Sequence, residues 1–267
     1  MKPKLIINGS AGRMGKRLIA LAAESKAFDL IAATDDSSCP DIGTDAGTLA
    51  GIEPLGIVIS SELPPAADVV IDFSLPQGTN RVIDYCLSQK CALVMGTTGQ
   101  VPEQLAKIDK ASQRIALIHA TNMSIGMNLL FELVGKVAQK LGGEYDIEIS
   151  EAHHRFKKDA PSGTAMTLAE RIAKDTGKDF PGCLDVSRKG KEALRVKGSI
   201  GMQAIRLGDT VGEHSVMFGS LGETVTLSHS AHSRDTFAAG AVRAAIWLAD
   251  KKPGRYLMAD VLGLTGD

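Results

Sequence analysis

The chain lacks any apolar run near the ~18 residues that a bilayer-crossing helix needs, so no membrane span is expected. Its cysteines lack a pattern. Cys39, Cys86, Cys91 and Cys183 show no Cys-x-x-Cys spacing and read as buried small hydrophobes or free thiols in a reducing compartment. Neither sign of charge dominates: a formal net charge of -1 gives no general affinity for nucleic acid or an acidic membrane. The N-terminus runs from Lys4 straight into strand-like Leu5-Ile6-Ile7, with no secretory apolar segment. A cytoplasmic enzyme is therefore expected. No metal site is expected either. His153 and His154 adjoin, His229 and His232 form a second pair, and neither a helical His-x-x-x-His spacing nor a nearby cysteine accompanies them. Internal repeats and low-complexity segments are absent as well. With 44% apolar and 23% charged residues over 267 positions, the chain has an ordinary globular composition. It can bury a substantial core, as one large domain or two modest ones.

Short apolar runs bounded by Gly, Pro or Asp alternate with helical patterns through the first half. Residues 5–8, 28–34, 68–73, 91–95 and 115–119 read as buried strands, with helices over 13–25, 77–89 and 102–113 between them. Such alternation implies an α/β, doubly wound parallel sheet covered on both faces. The pattern then changes. Residues 124–141 read as a long helix with Leu129, Leu133, Val137 and Leu141 along one stripe, followed by a strand over 145–151 and a helix over 162–176. The charged, glycine-rich stretch 182–199 reads as an exposed loop. From 204 to 230 strands dominate, and 213–219 and 223–229 flank Ser220-Leu221-Gly222, a hairpin turn. This half is α+β with a mixed, largely antiparallel sheet. The tail, 236–251, is an amphipathic helix containing Trp247.

The first strand runs into Gly9-Ser10-Ala11-Gly12-Arg13-Met14-Gly15 and then a helix. This is the G-x-x-G-x-x-G variant of the dinucleotide fingerprint. A glycine at the turn admits the pyrophosphate close to the backbone, the last lets helix and strand pack, and the helix N-terminus meets the phosphates. The acidic residue that binds adenosine ribose should follow about 20 positions on, and Asp35 ends the second strand. Gly96-Thr97-Thr98-Gly99 and Ala120-Thr121-Asn122-Met123 also fall at strand C-terminal ends, where such sheets bind ligands. They are candidates for the nicotinamide half of the cofactor site.

The run from Glu151 through Ala165 carries the chemistry. The strand delivers His153 and His154, whose side chains point to opposite sides and so have different tasks. Lys157 can neutralise a substrate anion or donate a proton. Pro161 followed by Ser162-Gly163-Thr164 marks a helix start whose amides suit a carboxylate.

Glu151-Ala152-His153-His154, Lys157 and Asp159-Ala160-Pro161-Ser162-Gly163-Thr164-Ala165 together resemble the signature of the 4-hydroxy-tetrahydrodipicolinate reductase (dihydrodipicolinate reductase) family. The glycine loop at Gly9, the Gly96-Thr97-Thr98-Gly99 and Ala120-Thr121-Asn122 turns and Val211-Gly212-Glu213-His214 are similar to that family's motifs, in family order over nearly the whole chain. The resemblance implies reduction of the cyclic product of dihydrodipicolinate synthase to tetrahydrodipicolinate, on the diaminopimelate and lysine route, with NADH or NADPH. By motif position it implies His153 as acid/base, Lys157 as proton donor, and His154, Ser162, Gly163 and Thr164 as substrate contacts. Cofactor contacts are implied at Gly9, Ser10, Ala11, Gly12, Arg13, Met14, Asp35, Gly96, Thr97, Thr98, Ala120, Thr121, Asn122 and Met123. It further implies a homotetramer and a nucleotide domain over 1–123 and 234–267 enclosing a substrate domain over 124–233. Asp36 stands where members that accept NADPH well often carry Arg, so NADH is the expected cofactor, with NADPH possible. The rival readings are a dehydrogenase of aspartate or homoserine chemistry and a dinucleotide-sensing regulator. The latter would need a recognition element, and no basic helix-turn-helix or zinc motif is evident.

Overall fold

Short runs, of four to six residues in all but β3, build the first sheet, as β1 (Lys4–Asn8), β2 (Asp29–Thr34), β3 (Ile59–Ser60), β4 (Val69–Asp72), β5 (Ala92–Met95) and β6 (Ala116–His119). Between them lie α1 (Arg13–Ser25), α2 (Ala46–Ala50), a 3-10 turn over Pro76–Gly78, α3 (Thr79–Gln89) and α4 (Pro102–Ser112). The chain then forms α5 (Ile125–Leu141), β7 (Asp146–His153), α6 (Gly163–Thr176), β8 (Leu184–Asp185), β9 (Ile200–Arg206), β10 (Gly212–Ser220) and β11 (Glu223–Ala231). It ends with α7 (Asp235–Leu248), β12 (Gly254–Tyr256) and α8 (Met258–Val261). This computed structural model describes residues 2–186 and 188–264. The chain divides into two compact units, 1–125 with 234–267, and 126–233.

In the first unit seven parallel strands lie in the order β12-β6-β5-β4-β1-β2-β3. Alternate side chains fill two cores. Ile7, Ile71 and Val94 pack with Leu18 of α1 and Ala241 of α7, and Ile6, Val70 and Leu93 pack with Ile83 of α3 and Ile108 of α4. This is the Rossmann-type arrangement that near-continuous apolar strands imply. The short α2, β3, β12 and α8 carry too little periodicity to be read from sequence.

The second unit holds a five-stranded sheet in the order β11-β10-β7-β9-β8. It is mixed and largely antiparallel, as expected: β10 pairs antiparallel with β7 and β11 along most of its length, whereas β9 pairs parallel with β7 and briefly with β8. The expectation missed β9, which a crossover through α6 returns alongside β7, and a parallel neighbour requires such a crossover. Helix α5 also corrects the sequence reading. Its buried face is Met127, Leu130, Phe131, Val134 and Ala138, whereas Leu129 and Leu133 are about 40% exposed. The helix is apolar on more than one side, so periodicity alone did not select the core stripe. The 182–199 stretch is tethered rather than loose. Arg188 and Arg195 both pair with Glu148 of β7, and Arg195 also reaches Asp146 at 2.9 Å.

Gly15 shows how tightly the fingerprint is packed: a Cβ there would lie 2.2 Å from Gly9 O and 2.5 Å from Ser10 Cα. Gly15→Ala should cost ~1–3 kcal/mol by overpacking. Gly143→Ala, where nothing lies within 4 Å, should be near neutral. Urea unfolding of the two variants checks this.

Candidate active site

In the first unit, one residue shapes two loops. Gly9 has φ +78°, and a Cβ on it would lie 2.5 Å from Phe73 O; a Cβ on Gly96 would lie 2.3 Å from the Phe73 ring. Both strand exits therefore need glycine to close over Phe73. The Gly9 and Ser10 amides donate to Thr34 O at 2.9 and 3.0 Å, and the Ala11 amide donates to Asp35 Oδ2 at 2.8 Å. The fingerprint turn is thus tied to the end of β2, with the acidic residue beside it. A groove of about 520 Å³ runs here, lined by Asn8, Gly9, Gly12, Asp35, Asp36 and Arg81 among others. The Ser10 hydroxyl is fully buried without a partner among the described residues. An orphaned hydroxyl, a glycine rim and a half-buried carboxylate fit the pyrophosphate and ribose of a dinucleotide.

Beneath the loops runs a buried polar chain. Thr34 Oγ1 donates to Asn8 Oδ1 at 2.8 Å, Asn8 Nδ2 to Asp72 Oδ1 at 2.7 Å, and Thr97 Oγ1 to Asp72 Oδ2 at 2.8 Å. The Thr97 hydroxyl therefore faces inward, and Met123 is a core side chain, 1% exposed. These two expected contacts can offer a ligand only their backbone. Thr98 and Thr121 are exposed, with Gly96, Ala120 and Asn122 half-buried beside them. Arg13 is exposed on the first turn of α1, and Met14 packs on the core. The exposed Asp36 carboxylate accepts from the Ser38 hydroxyl and amide at 2.6 and 2.9 Å, which hold it below the usual carboxylate range. Arg81 was missed from sequence. It sits on α3, donates to Ser61 O, and shares the groove with Asp36; nothing in the linear pattern marks it.

In the second unit, the helix-covered face of the sheet changes character at one end. Across β10, β7 and β9 the layers read Phe218, Ile147 and Ile200, then Val216, Ile149 and Met202, and then His214, Glu151 and Ala204. His153 stands next, opposite Arg206. Glu151 is 1% exposed. Its Oε2 accepts from His153 Nδ1 at 2.6 Å and Arg206 Nη1 at 2.8 Å; its Oε1 accepts from the Ser162 amide at 3.1 Å and Arg206 Nη2 at 2.8 Å. Burial alone would raise its pKa, but hydrogen bonds from Arg206 and His153 outweigh it and hold the carboxyl below its ordinary value. Burial lowers the His153 pKa against the opposing pull of Glu151.

Lys157, which follows a turn from His154, lies 2.9 Å from Asp159 Oδ1. His154 is half-buried, with Nδ1 unpartnered among the described residues and its ring 6.3 Å from Phe156. Ser162 corrects the sequence reading. It is 1% exposed, its amide is held by Glu151, and its hydroxyl caps α6 through the Ala165 amide at 3.2 Å. It builds the helix start rather than facing a ligand, which leaves Gly163 and Thr164 at the surface of that turn. Three more residues join the site: Arg206 was not named from sequence, and Gly212 and His214 only within a motif and without a role. His214 is 4% exposed, packs edge-on at 5.2 Å from His153, and places Nε2 3.2 Å from Ser162 Oγ. Gly212 admits the His153 ring, since a Cβ there would lie 3.2 Å from Nε2. Arg206 enters through strand register, which no linear motif reports.

Comparison with known proteins matches both units. The family models described as dihydrodipicolinate reductase, N-terminus and C-terminus, match residues 3–123 and 126–262. A 4-hydroxy-tetrahydrodipicolinate reductase of Alkalilimnicola ehrlichii is 47% identical over 99% of this chain and 100% of its own length. One from Syntrophotalea carbinolica is 46% identical over 98% and 99%. Among solved structures, dipicolinate-bound dihydrodipicolinate reductase from Paenisporosarcina sp. TG-14 shares the fold, with TM-score 0.72 and 24% identity over 97% of this chain and 99% of that one. An amine dehydrogenase from Mycobacterium smegmatis also shares it, with TM-score 0.64 and 13% identity over 96% and 95%.

Burial pushes the His214 pKa down to about 3, with His153 adding to the effect. The unfolded chain takes up that proton near pH 6.5, the folded one only near 3. Stability should therefore be full above 6.5 and fall as pH drops through that window, by ~1.4 kcal/mol per unit for this group. Urea unfolding at pH 7.5 and 5.5 measures the slope, which should shrink in His214→Gln.

Proposed function

The chain belongs to the dihydrodipicolinate reductase family, and from that premise we propose that it reduces 4-hydroxy-tetrahydrodipicolinate to tetrahydrodipicolinate, with NADH or NADPH, in diaminopimelate and lysine biosynthesis. The observation that carries this reading is the end of β7. There a buried carboxylate holds His153, and the Ser162-capped start of α6 and Lys157 lie alongside. A cationic amine and first-turn helix amides suit a cyclic dicarboxylate.

Gly9 through Met14, with Asp35, would hold the pyrophosphate and adenosine ribose, and the Gly96–Thr98 and 120–123 turns the nicotinamide end. When bound, the reduced nicotinamide supplies a hydride. The protein's own task is to hold one substrate carboxylate at Gly163 and Thr164, orient the ring with His154, and deliver the balancing proton from Lys157 or His153. The family resemblance also implies a homotetramer in the cytoplasm. A candidate surface is the sheet face opposite the helices, where Ser150, Ser215 and Ser228 line up across three strands.

Two measurements test the reading. Replacing His153 by Gln and Lys157 by Ala should each lower kcat ~100- to 10,000-fold on folded protein, as loss of a positioned acid or base does. Losses below tenfold in both would remove them from the chemistry. Cofactor choice should favour NADH roughly tenfold in kcat/KM, because a 2′-phosphate would meet Asp35 and Asp36. Like charges at about 4 Å cost ~1 kcal/mol in water and more when desolvated. Arg81 is the cation placed to offset this, so Arg81→Ala should widen the preference. Equal use of both cofactors would show that the two carboxylates do not set it.

A further inference from the structure

We propose that Glu151 and Arg206 are positioning residues: the carboxylate fixes His153 as the Nδ1–H tautomer, with Nε2 as acceptor, and ties that ring to the amide that opens α6. The inference rests on the reading that His153 acts on the substrate. A neutral imidazole carries one donor and one acceptor. An ionised carboxylate can only accept, so the 2.6 Å contact to Glu151 Oε2 places the proton on Nδ1. The lone pair is then left at Nε2, on the side that Gly212 keeps clear. The other oxygen of the same carboxylate holds the Ser162 amide, so acid/base group and helix start share one anchor. Arg206 grips both oxygens at 2.8 Å and also donates to Asp159 O at 2.6 Å, next to the carboxylate that anchors Lys157. The pair therefore sets the places of His153, the helix start and the Lys157 segment together.

Fold stability does not require a charged pair here. Ile147 and Ile149 fill the two preceding layers of the same face, and a buried ion pair is seldom more stable than apolar residues of similar volume. The change to charge occurs only in the layers that hold the histidines. The charged and titratable groups facing His153 are Glu151 on its own strand, Arg206 on β9, His214 on β10 and Lys157 in the following turn.

Ring nitrogen spectra of ¹⁵N-histidine-labelled protein at neutral pH, with His153→Gln for assignment, should show His153 protonated at Nδ1. In Glu151→Gln the Nδ1–H population should fall and kcat should drop ~100-fold or more, as when a base loses its orienting carboxylate. KM for substrate should move less than about threefold, since the Gly163 and Thr164 contacts remain. Whichever limb of the kcat/KM profile His153 sets should shift to lower pH, because the imidazolium loses its anionic partner. Arg206→Lys keeps the charge but loses the two-pronged grip, so it should fall between the two. An Nε2–H signal in the unaltered protein overturns the proposal without any variant, as does kcat within tenfold of wild type in folded Glu151→Gln. Should that variant not fold, the wild-type ring spectrum and the Arg206→Lys kinetics decide the matter. Absence of NADH and NADPH oxidation by the unaltered protein would sink the reductase reading instead, while the ring spectrum would still report on the positioning.

Discussion

A carboxylate buried in an apolar sheet face is tolerable only when its lone pairs are taken by strong donors, and Glu151 meets that condition with four. The donors come from three points of the local structure: the strand itself, the neighbouring parallel strand twice through one guanidinium, and the residue that caps α6. Satisfying one anion therefore brings an imidazole, a helix start and a lysine-bearing turn into fixed relation. The register of β7 with β9 and β10 decides the rest, since it puts Arg206 opposite His153 and His214 opposite Glu151. A slip by one residue would turn all of these to the other face.

Close packing has the same organising effect in the first unit. Phe73 leaves no room for a side chain at Gly9 or Gly96, so glycines that read as ligand-binding residues are also demanded by their neighbour. The two reasons do not compete. A backbone pressed against Phe73 is stripped of side chains at the strand exits, which is what a phosphate-bearing ligand needs in order to approach. The Thr34–Asn8–Asp72–Thr97 chain then locks the ends of adjacent strands at one level.

Much of this was legible beforehand because it is local. Helix α1 occupies Arg13–Ser25, where the glycine fingerprint placed it, and β10 and β11 meet around Leu221 and Gly222, where the turn composition placed them. Local rules failed where a residue had two plausible neighbours. Leu129 and Leu133 form an acceptable helical stripe, but the core took the other one. Ser162 and Thr97 have the right chemistry for ligand contact, yet a helix cap and a buried aspartate claimed their hydroxyls first.

The sequence alone determined the parallel nucleotide-type sheet, through runs of apolar residues whose period and punctuation are local properties. Its motifs also identified the family resemblance and placed His153, Lys157 and the α6 start within one short segment. Only the tertiary structure decided which groups surround His153. Arg206 lies 53 positions downstream, and His214 eight further on, yet both stand beside His153 because β9 and β10 flank β7. Strand pairing over such separations is set by burying whole faces, not by adjacency along the chain. No spacing rule within one segment can therefore report it.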